Sequence, residues 1–375
     1  MKANFYIHIG LHKTGSTSIQ ATLFKNRAML LKHDINYLGI SQNHSTTIYP
    51  LVCKEISRDN WKRLAGVDSD EEALQYNAGV DKALRHELES NTCSRFVISG
   101  EGLSRLTDDE IERLKEKLAP FANKFRIVVY VRDPYSYINS AFQQKMRSGR
   151  TFEQIIADPP LPLYRRIDSF FRVFGRDNVD IRIFDPTRFV SGDLIADFLA
   201  GIEAAPELAK ELKIVTTNVA LSHEAALLLN EINKRHPNGK GRRGNPDRAD
   251  QIRKWLEAIP GQRFRCPRAA LAVARPMFLE DLRWLHRALG ERVFRTRPEP
   301  DDLLPDWSGE SLAALAVLIN DMAVQLARVQ DERAAGNRSP VTDLLGSIVR
   351  LWTKATPPTS PPRRLRARRK RSATR

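Results

Sequence analysis

The chain has 375 residues, 42% of them hydrophobic, and its 60 Lys and Arg outnumber its 45 Asp and Glu, giving a formal net charge of +15. This length suits one large α/β domain or two smaller ones. No uninterrupted apolar run reaches the roughly 18 residues that a membrane-spanning helix needs. A strand pattern begins at Phe5, which predicts that no signal peptide precedes it. The three cysteines, Cys53, Cys93 and Cys266, are widely spaced and predict reduced thiols. We therefore expect a cytoplasmic protein.

The positive charge is concentrated at the end of the chain. Residues 356–375 carry eight Lys or Arg and no acid, so seven of the fifteen net charges remain for the rest. The segment is rich in Pro and Arg and has few apolar groups, which predicts disorder. It suits contact with an acidic membrane surface at the inner face, or with nucleic acid. A solvated tail without a specific partner is an equal alternative.

Strand and helix patterns alternate over the first half of the chain. Short apolar runs at residues 5–9, 95–99, 125–131 and 180–184 predict buried strands, which is typical of a parallel sheet with helices on both faces. Helix patterns follow the first strand through about Lys32, run from Pro134 to near Gly149, and recur at 187–200, 221–234, 268–289 and 309–333. Thr107 and Glu110 predict a capping box. The fold class is therefore α/β, with three α/β/α layers, a central mostly parallel sheet and C-terminal helices.

The segment between the first strand and the first helix has the composition of an anion-binding loop. It reads Gly10-Leu11-His12-Lys13-Thr14-Gly15-Ser16-Thr17-Ser18. Free backbone N–H groups and the positive end of a helix dipole favour an anion there. Glycines permit close approach of the backbone, and Lys13 adds a positive charge. The ATP-type loop requires Lys directly after its second Gly, whereas Ser16 follows Gly15 here.

The run IHIGLHKTGSTSIQ resembles the 5′-phosphosulfate loop of sulfotransferases that use 3′-phosphoadenosine 5′-phosphosulfate (PAPS), above all bacterial members of carbohydrate type. The family also has a strand followed by Arg-Asp-Pro, with a Ser eight residues after the Arg. Arg132-Asp133-Pro134 and Ser140 match that pattern. The resemblance implies a P-loop-like sulfotransferase fold. Its implied donor ligands are Lys13, Thr14, Gly15, Ser16, Thr17 and Ser18 for the 5′ side, with Arg132 and Ser140 for the 3′-phosphate.

The resemblance is weaker beyond these motifs. The segments 179–185, 218–224 and 278–294 look like later elements of the family, so a sulfotransferase domain is predicted over residues 1–300. A helical extension at 301–355 and the basic tail at 356–375 would follow it. Arg242-Arg243-Gly244 loosely resembles a family loop that clasps the 3′-phosphate, and a solvated basic loop is the alternative.

Sulfuryl transfer requires a cation at the leaving oxygen and a base for the proton of the acceptor. Lys13 suits the first role. Glu101, just after a predicted buried strand, is the first choice for the base, as several sulfotransferases use a glutamate at a comparable strand end, and His12 is the second. Other histidines, among them His8 and His44, are weaker candidates. No cluster of ligands suggests a metal, and the family needs none.

The acceptor class follows only from the resemblance, which implies a hydroxyl group, or an amine, on a carbohydrate or glycolipid. Two other functions remain open at this stage. One is a phosphoryl-transferring kinase of related fold, which lacks here the Gly-Lys-Ser/Thr order. The other is a nucleic-acid-binding protein that uses the basic tail, although no aromatic-plus-basic motif occurs in the body of the chain and no specific nucleic acid is expected.

Overall fold

The structure is a computed structural model that describes residues 2–53, 66–215, 220–235 and 256–294, together with residues 313, 315 and 317. Compact units span Met1–Ser308 and Gly309–Arg375. Three predicted segments lie outside the described residues: the basic loop at 237–250, most of the helix at 309–333 and the tail at 356–375. The three described residues of the second unit are helical.

Five parallel strands form one sheet in the described part of the chain, in the order β2-β3-β1-β4-β5. The strands are β1 (Ala3–Ile9), β2 (Ile35–Tyr37), β3 (Arg95–Gly100), β4 (Ala122–Val131) and β5 (Val179–Ile183). All four strands predicted from the sequence are present, and the α/β fold class is confirmed. β2 was missed because it has only three residues and lies at the edge of the sheet.

Helices connect the strands and continue after the last one. In chain order they are α1 (Ser16–Lys25), α2 (Arg27–Lys32), α3 (Ile48–Val52), α4 (Asp70–Ser90), α5 (Asp108–Leu118), α6 (Pro134–Arg147), α7 (Phe152–Ala157), α8 (Arg166–Phe174), α9 (Leu194–Gly201), α10 (His223–Arg235) and α11 (Arg268–Leu289). The helices predicted at 134–149, 221–234 and 268–289 correspond to α6, α10 and α11. None of the helices in the described ranges is both long and apolar enough to cross a bilayer.

Alternate residues of the central strands face two helical layers. Tyr6 of β1 and Tyr130 of β4 pack in one buried cluster with residues of α1 and α9. Phe5 lies on the opposite face, where its ring centroid is 5.9 Å from that of Phe125. The ring centroid of Phe125 is in turn 5.4 Å from that of Phe174 in α8. Because both faces are covered, the strands read as nearly continuous apolar runs. This arrangement is the predicted three-layer architecture.

Two helix boundaries differ from the sequence predictions. The helix expected through Lys32 breaks at Asn26, whose side-chain amide donates to the carbonyl oxygens of Thr22 and Lys213. The helix expected over 187–200 begins only at Leu194. Asp193 caps it there, accepting hydrogen bonds from the N–H groups of Ile195 and Ala196. The capping box of Thr107 and Glu110 is confirmed at the start of α5.

Candidate active site

The site lies where β1, β3 and β4 end side by side. These strands are parallel, and Ile9 of β1 is in register with Gly100 of β3. Their carboxyl ends lead into the loop at residues 10–15, into Glu101 and into Arg132. Ligands of parallel α/β sheets gather at this edge. The fold therefore brings the two motifs of the sequence and the first candidate base to one place.

The loop after β1 has an unusual backbone. Lys13 and Gly15 both adopt positive φ, at 65° and 77°, a region that costs a non-glycine residue energy. A Cβ on Gly15 would lie 2.5 Å from Cδ2 of Leu194, so only glycine fits. The Thr14 hydroxyl donates to the carbonyl oxygen of Leu11 at 2.5 Å. A hydroxyl has one proton, so Thr14 braces the loop in this conformation instead of donating to a ligand.

Ser16 begins α1 and supplies the strongest sign of a ligand in the loop. Its side chain is buried, and its Oγ has no hydrogen-bond partner among the described residues. A buried polar atom is normally paired, and leaving it unpaired costs roughly 1–3 kcal/mol. Ser16 Oγ and the N–H groups in the first turn of α1 together suit an anion. Thr17 is exposed and Ser18 is half-buried on the next positions of the same turn.

Lys13 lies in a predominantly positive environment. Burial lowers the pKa of its ammonium group, Glu101 opposes this effect, and Arg147 and Arg132 lower the pKa further. Burial of several like charges near one another is unfavourable unless a counter-charge joins them. The loop is therefore suited to an anionic ligand that compensates this charge.

Arg132 connects the end of β4 to the loop after β1. Its Nη1 donates to the main-chain oxygen of Lys13 at 2.9 Å, and its Nε donates to Oγ of Ser136 at 2.9 Å. Its guanidinium lies 5.3 Å from the ring centroid of Phe184. The hydroxyl of Tyr164 donates to its carbonyl oxygen at 2.5 Å. The two bonds from the guanidinium and its contact with Phe184 hold the guanidinium plane in one orientation, and the bond from Tyr164 fixes the main chain of the same residue.

Ser140 lies one helical turn beyond Ser136 on α6 and is half-buried. Residues four apart share a helix face, so Ser140 continues the face on which Arg132 is bound. The partner of Arg132 in this structure is Ser136, which the motif did not single out. The assignment of Ser140 to a 3′-phosphate stays a prediction.

Arg263 is a basic residue near Arg132 that sequence reasoning missed. Burial lowers the pKa of Arg132, and the positive charge of Arg263 lowers it further. An isolated antiparallel bridge pairs Ser222 with Arg263, and Asn139 of α6 fixes the following residue by donating to the carbonyl oxygen of Phe264 at 3.1 Å. No local signal marks Arg263, because its position depends on a contact between distant segments.

Glu101 and His12, the two candidate bases, contact each other. Nδ1 of His12 lies 3.1 Å from Oε2 of Glu101, and their side chains are 49% and 28% exposed. A Cβ added to Gly10 would lie 3.0 Å from Cγ of Glu101 and 2.5 Å from Oγ of Ser16. The side chains of Glu101 and Ser16 therefore approach each other over Gly10, and the space between them is too small for a methyl group. From the sequence, Glu101 and His12 were alternative candidates for the base. In the structure their side chains are in direct contact.

A short turn at His44–Thr46 holds the segment that carries Glu101. The N–H of Ser99 donates to Nδ1 of His44 at 2.8 Å, and the N–H of Gly102 donates to Oγ of Ser45 at 2.7 Å. Nε2 of His44 lies 3.0 Å from the carbonyl oxygen of Leu38, so the imidazole is neutral with its proton on Nε2. Burial lowers the pKa of His44 to about 4. This clamp, His44 with Ser45, fixes Glu101 from both sides.

A pocket opens beside these residues, with about 340 Å³ of empty space that is partly open to solvent. Its lining among the described residues comprises Leu11, His12, Thr14, Ser104, Arg132, Tyr137, Pro162, Leu163, Tyr164 and Arg166. No group of three or more His, Cys, Asp or Glu in the described residues is arranged to hold a metal. The expectation that no metal is needed stays a prediction.

Comparison with known proteins adds little to this geometry. No family model matches the chain. An uncharacterized protein of Archaeoglobus fulgidus is 27% identical over 141 residues, which is 37% of this chain and only 38% of that protein. A crystal structure of a sulfotransferase from Alicyclobacillus acidocaldarius covers 78% of this chain and 97% of its own, at 15% identity and a TM-score of 0.37. A similarity this loose carries no argument about function. The class defined by the fold is an α/β protein with a five-stranded parallel sheet in the described residues, and basic side chains gather at the carboxyl edge of that sheet.

Proposed function

We propose that the protein is a sulfotransferase that moves a sulfuryl group from PAPS to an acceptor hydroxyl. The observation that carries the proposal is the hydrogen bond from Arg132 to the main-chain oxygen of Lys13. It joins the loop suited to a 5′-phosphosulfate and the Arg-Asp-Pro element suited to a 3′-phosphate. A nucleotide with anionic groups at both positions would occupy both elements at once.

The residues of the loop have roles that follow from their chemistry. Ser16 Oγ and the N–H groups at the start of α1 bind the 5′-phosphate. The ammonium of Lys13 stabilises the negative charge that grows on the phosphate oxygen as its bond to sulfur breaks. Arg132, with its planar fork of donors, and Arg263 bind the 3′-phosphate. Ser140 is the further 3′-phosphate ligand that the family motif implies.

Glu101 takes the proton of the acceptor hydroxyl as the acceptor oxygen forms its bond to sulfur. His12 contacts the same carboxylate and orients it. His12 also lines the pocket in which the acceptor would bind. The leaving phosphate keeps the electron pair of the broken bond, and the proton ends on Glu101. An acceptor on a carbohydrate or glycolipid is part of the proposal, as is association of the basic tail with an acidic membrane.

The rival enzyme is a kinase that transfers a phosphoryl group from ATP. The residue after Gly15 is Ser16, so the loop has no Lys at the position that reaches the terminal phosphates of ATP. The nucleotide preference separates the two functions. Sulfotransferase chemistry predicts recognition of a 3′-phosphate, and kinase chemistry predicts recognition of a triphosphate.

The test compares adenosine 3′,5′-bisphosphate, AMP and ATP as stabilisers against heat, followed by transfer assays with labelled PAPS and labelled ATP. A ligand at 100 times its Kd adds about 2.7 kcal/mol to the free energy of unfolding. We expect the bisphosphate to raise the Tm far more than AMP or ATP. Equal shifts with AMP and the bisphosphate would refute the 3′-phosphate site, and transfer of label from ATP alone would favour the kinase.

A further inference from the structure

The pocket beside His12 contains a second guanidinium group besides that of Arg132. Arg132 and Arg166 both line it, whereas its lining among the described residues includes no carboxylate. Arg132 is engaged with the carbonyl oxygen of Lys13 and with Ser136. Arg166, the first residue of α8, is half-buried and lies on the wall formed by residues 162–166. Arg166 also interacts with the carboxylate of Asp281, as Arg165 does, so an anionic ligand in the pocket would share this guanidinium with Asp281.

Tyr137 of α6 relates Arg166 to the reacting centre. Burial raises the pKa of the Tyr137 phenol, the positive charge of Arg166 opposes that rise, and the negative charge of Glu101 adds to it. Both charged groups are therefore close enough to act on the same phenol. The geometry agrees, because Tyr137 and Arg166 line the same pocket as His12, and His12 contacts the carboxylate of Glu101 at 3.1 Å.

We propose that the acceptor carries an anionic group of its own, a carboxylate, sulfate or phosphate, which binds Arg166 while its hydroxyl meets Glu101. This inference rests on the proposed function and names its acceptor class: a hydroxyl compound with an acidic substituent, such as an acidic saccharide. Arginine binds such groups through two parallel hydrogen bonds. Pro162, Leu163 and the Tyr137 ring provide apolar surface for the carbon skeleton.

Arg165 provides a matched control for Arg166. It is the preceding residue and has the same charge, but it does not line the pocket. Its side chain is 50% exposed and forms ion pairs with Glu280 at 2.9 Å and Asp281 at 3.8 Å. Removing its charge changes the net charge of the protein as much as removing that of Arg166. Asp281 interacts with both guanidinium groups, so the Arg165 variant measures any effect that passes through Asp281, and a larger effect in the Arg166 variant reports on the pocket.

The experiment measures binding of two probes of nearly equal shape, 4-nitrophenyl β-D-glucuronide and 4-nitrophenyl β-D-glucoside, by calorimetric titration with and without adenosine 3′,5′-bisphosphate. The probes differ in a carboxylate against a hydroxymethyl group. We expect the wild-type protein to bind the glucuronide at least about tenfold more tightly, the scale of one charge-assisted hydrogen bond. Arg166→Gln should abolish the preference and Arg165→Gln should retain it.

Arg166→Lys is the second variant, in case Arg166→Gln does not fold. It keeps the charge but loses the planar fork, so its preference should be intermediate. A wild-type protein that does not prefer the glucuronide overturns the inference, and so does equal loss of preference in the Arg165 and Arg166 variants. The proposed function fails separately, if the bisphosphate does not bind and no sulfuryl group is transferred. Selectivity measured without nucleotide tests the pocket alone.

Discussion

Arg132 donates a hydrogen bond from Nη1 to the main-chain oxygen of Lys13, at 2.9 Å and across 119 residues of sequence. The bond ties the end of β4 to the loop after β1, and the same guanidinium donates from Nε to Ser136. Because one planar group makes both bonds, the position of the loop and the position of the Arg-Asp-Pro element depend on each other. Loss of either bond should therefore weaken nucleotide binding both at the loop after β1 and at the Arg-Asp-Pro element.

Arg132→Lys tests this coupling. Lysine keeps the positive charge but lacks the rigid fork, so it cannot hold the Lys13 oxygen, Ser136 and a phosphate together. Hydrogen bonds to charged groups contribute about 1.5–3 kcal/mol, so the affinity for adenosine 3′,5′-bisphosphate should fall roughly 10- to 150-fold in a calorimetric titration. Arg188→Lys, at an exposed ion pair with Glu291, is the control and should bind normally. Unchanged affinity in Arg132→Lys would mean that charge alone matters there.

Gly10→Ala tests the narrow gap between Ser16 and Glu101. Its new methyl group would lie 2.5 Å from Ser16 Oγ and 3.0 Å from Glu101 Cγ, so both side chains must move. We expect the bisphosphate to lose its stabilising effect on the Tm and turnover to fall. Gly79→Ala, in α4 with open space around its Cβ, should instead raise the free energy of unfolding by about 0.5–1 kcal/mol. Normal nucleotide binding in Gly10→Ala would place the ligand elsewhere.

Glu101→Gln tests the base. The amide keeps the shape of the side chain and removes its basicity, so donor affinity should hardly change. Turnover should fall by roughly two to four orders of magnitude, the usual contribution of a positioned base. His12→Asn removes the partner at 3.1 Å and should reduce turnover less, with some loss of donor binding through the loop. Should Glu101→Gln turn over normally while His12→Asn is inactive, the base is the histidine.

Lys13→Ala separates catalysis from binding. The ammonium has its greatest value in the transition state, when charge develops on the leaving oxygen. Turnover under saturating donor should therefore fall more than the affinity for PAPS. A variant with normal kcat and a raised Kd for the donor would make Lys13 a binding residue only. Lys25→Ala, at the other end of α1, is the control and should leave both quantities unchanged.

The parts of the site that could be predicted from the sequence are those whose residues lie close together in short, continuous segments. A buried strand followed by Gly10 to Ser18 defines a loop at the start of a helix, and the Arg-Asp-Pro run likewise follows an apolar strand. Both elements were found at the carboxyl edge of the sheet. Glu101 was placed there correctly as well, because a residue just after a buried parallel strand has to emerge at that edge.

The remaining features depend on contacts between distant segments. Ser136, and not Ser140, binds Arg132, and because the two serines lie one turn apart on the same face of α6, their spacing alone does not show which one makes the bond. Arg263 approaches Arg132 through a bridge between segments far apart in the chain. His44 looked like an ordinary loop residue, since its bond to the N–H of Ser99 spans 55 positions. Tertiary packing, which local patterns do not encode, determined each of these contacts.

Two buried histidines should make stability depend on pH. Burial lowers the pKa of His44 to about 4 and that of His8 to about 3, from an ordinary value of 6.5. At a pH between the ordinary value of 6.5 and the lowered pKa of each histidine, the unfolded chain binds a proton that the folded chain excludes. The free energy of unfolding therefore rises with pH over this range. The contribution is complete above about pH 6.5 and is lost as the pH falls towards 4 and then 3. Each group contributes at most about 1.36 kcal/mol per pH unit.

His44→Asn should remove the share of this slope that His44 contributes and leave that of His8 and of His286, whose pKa burial also lowers. Asparagine offers an acceptor for the N–H of Ser99 and a donor for the carbonyl oxygen of Leu38, but it does not titrate. Denaturant unfolding between pH 6.5 and 5 measures the effect, because ordinary carboxylates titrate mainly below this window. His33→Asn, at a histidine whose side chain is 41% exposed and lies 3.7 Å from Glu211, is the control for removal of a histidine outside the clamp. A wild-type slope in His44→Asn would mean that the folded protein protonates His44 as readily as the unfolded chain does, which would contradict an Nδ1 that accepts the N–H of Ser99 and would refute the clamp on Glu101.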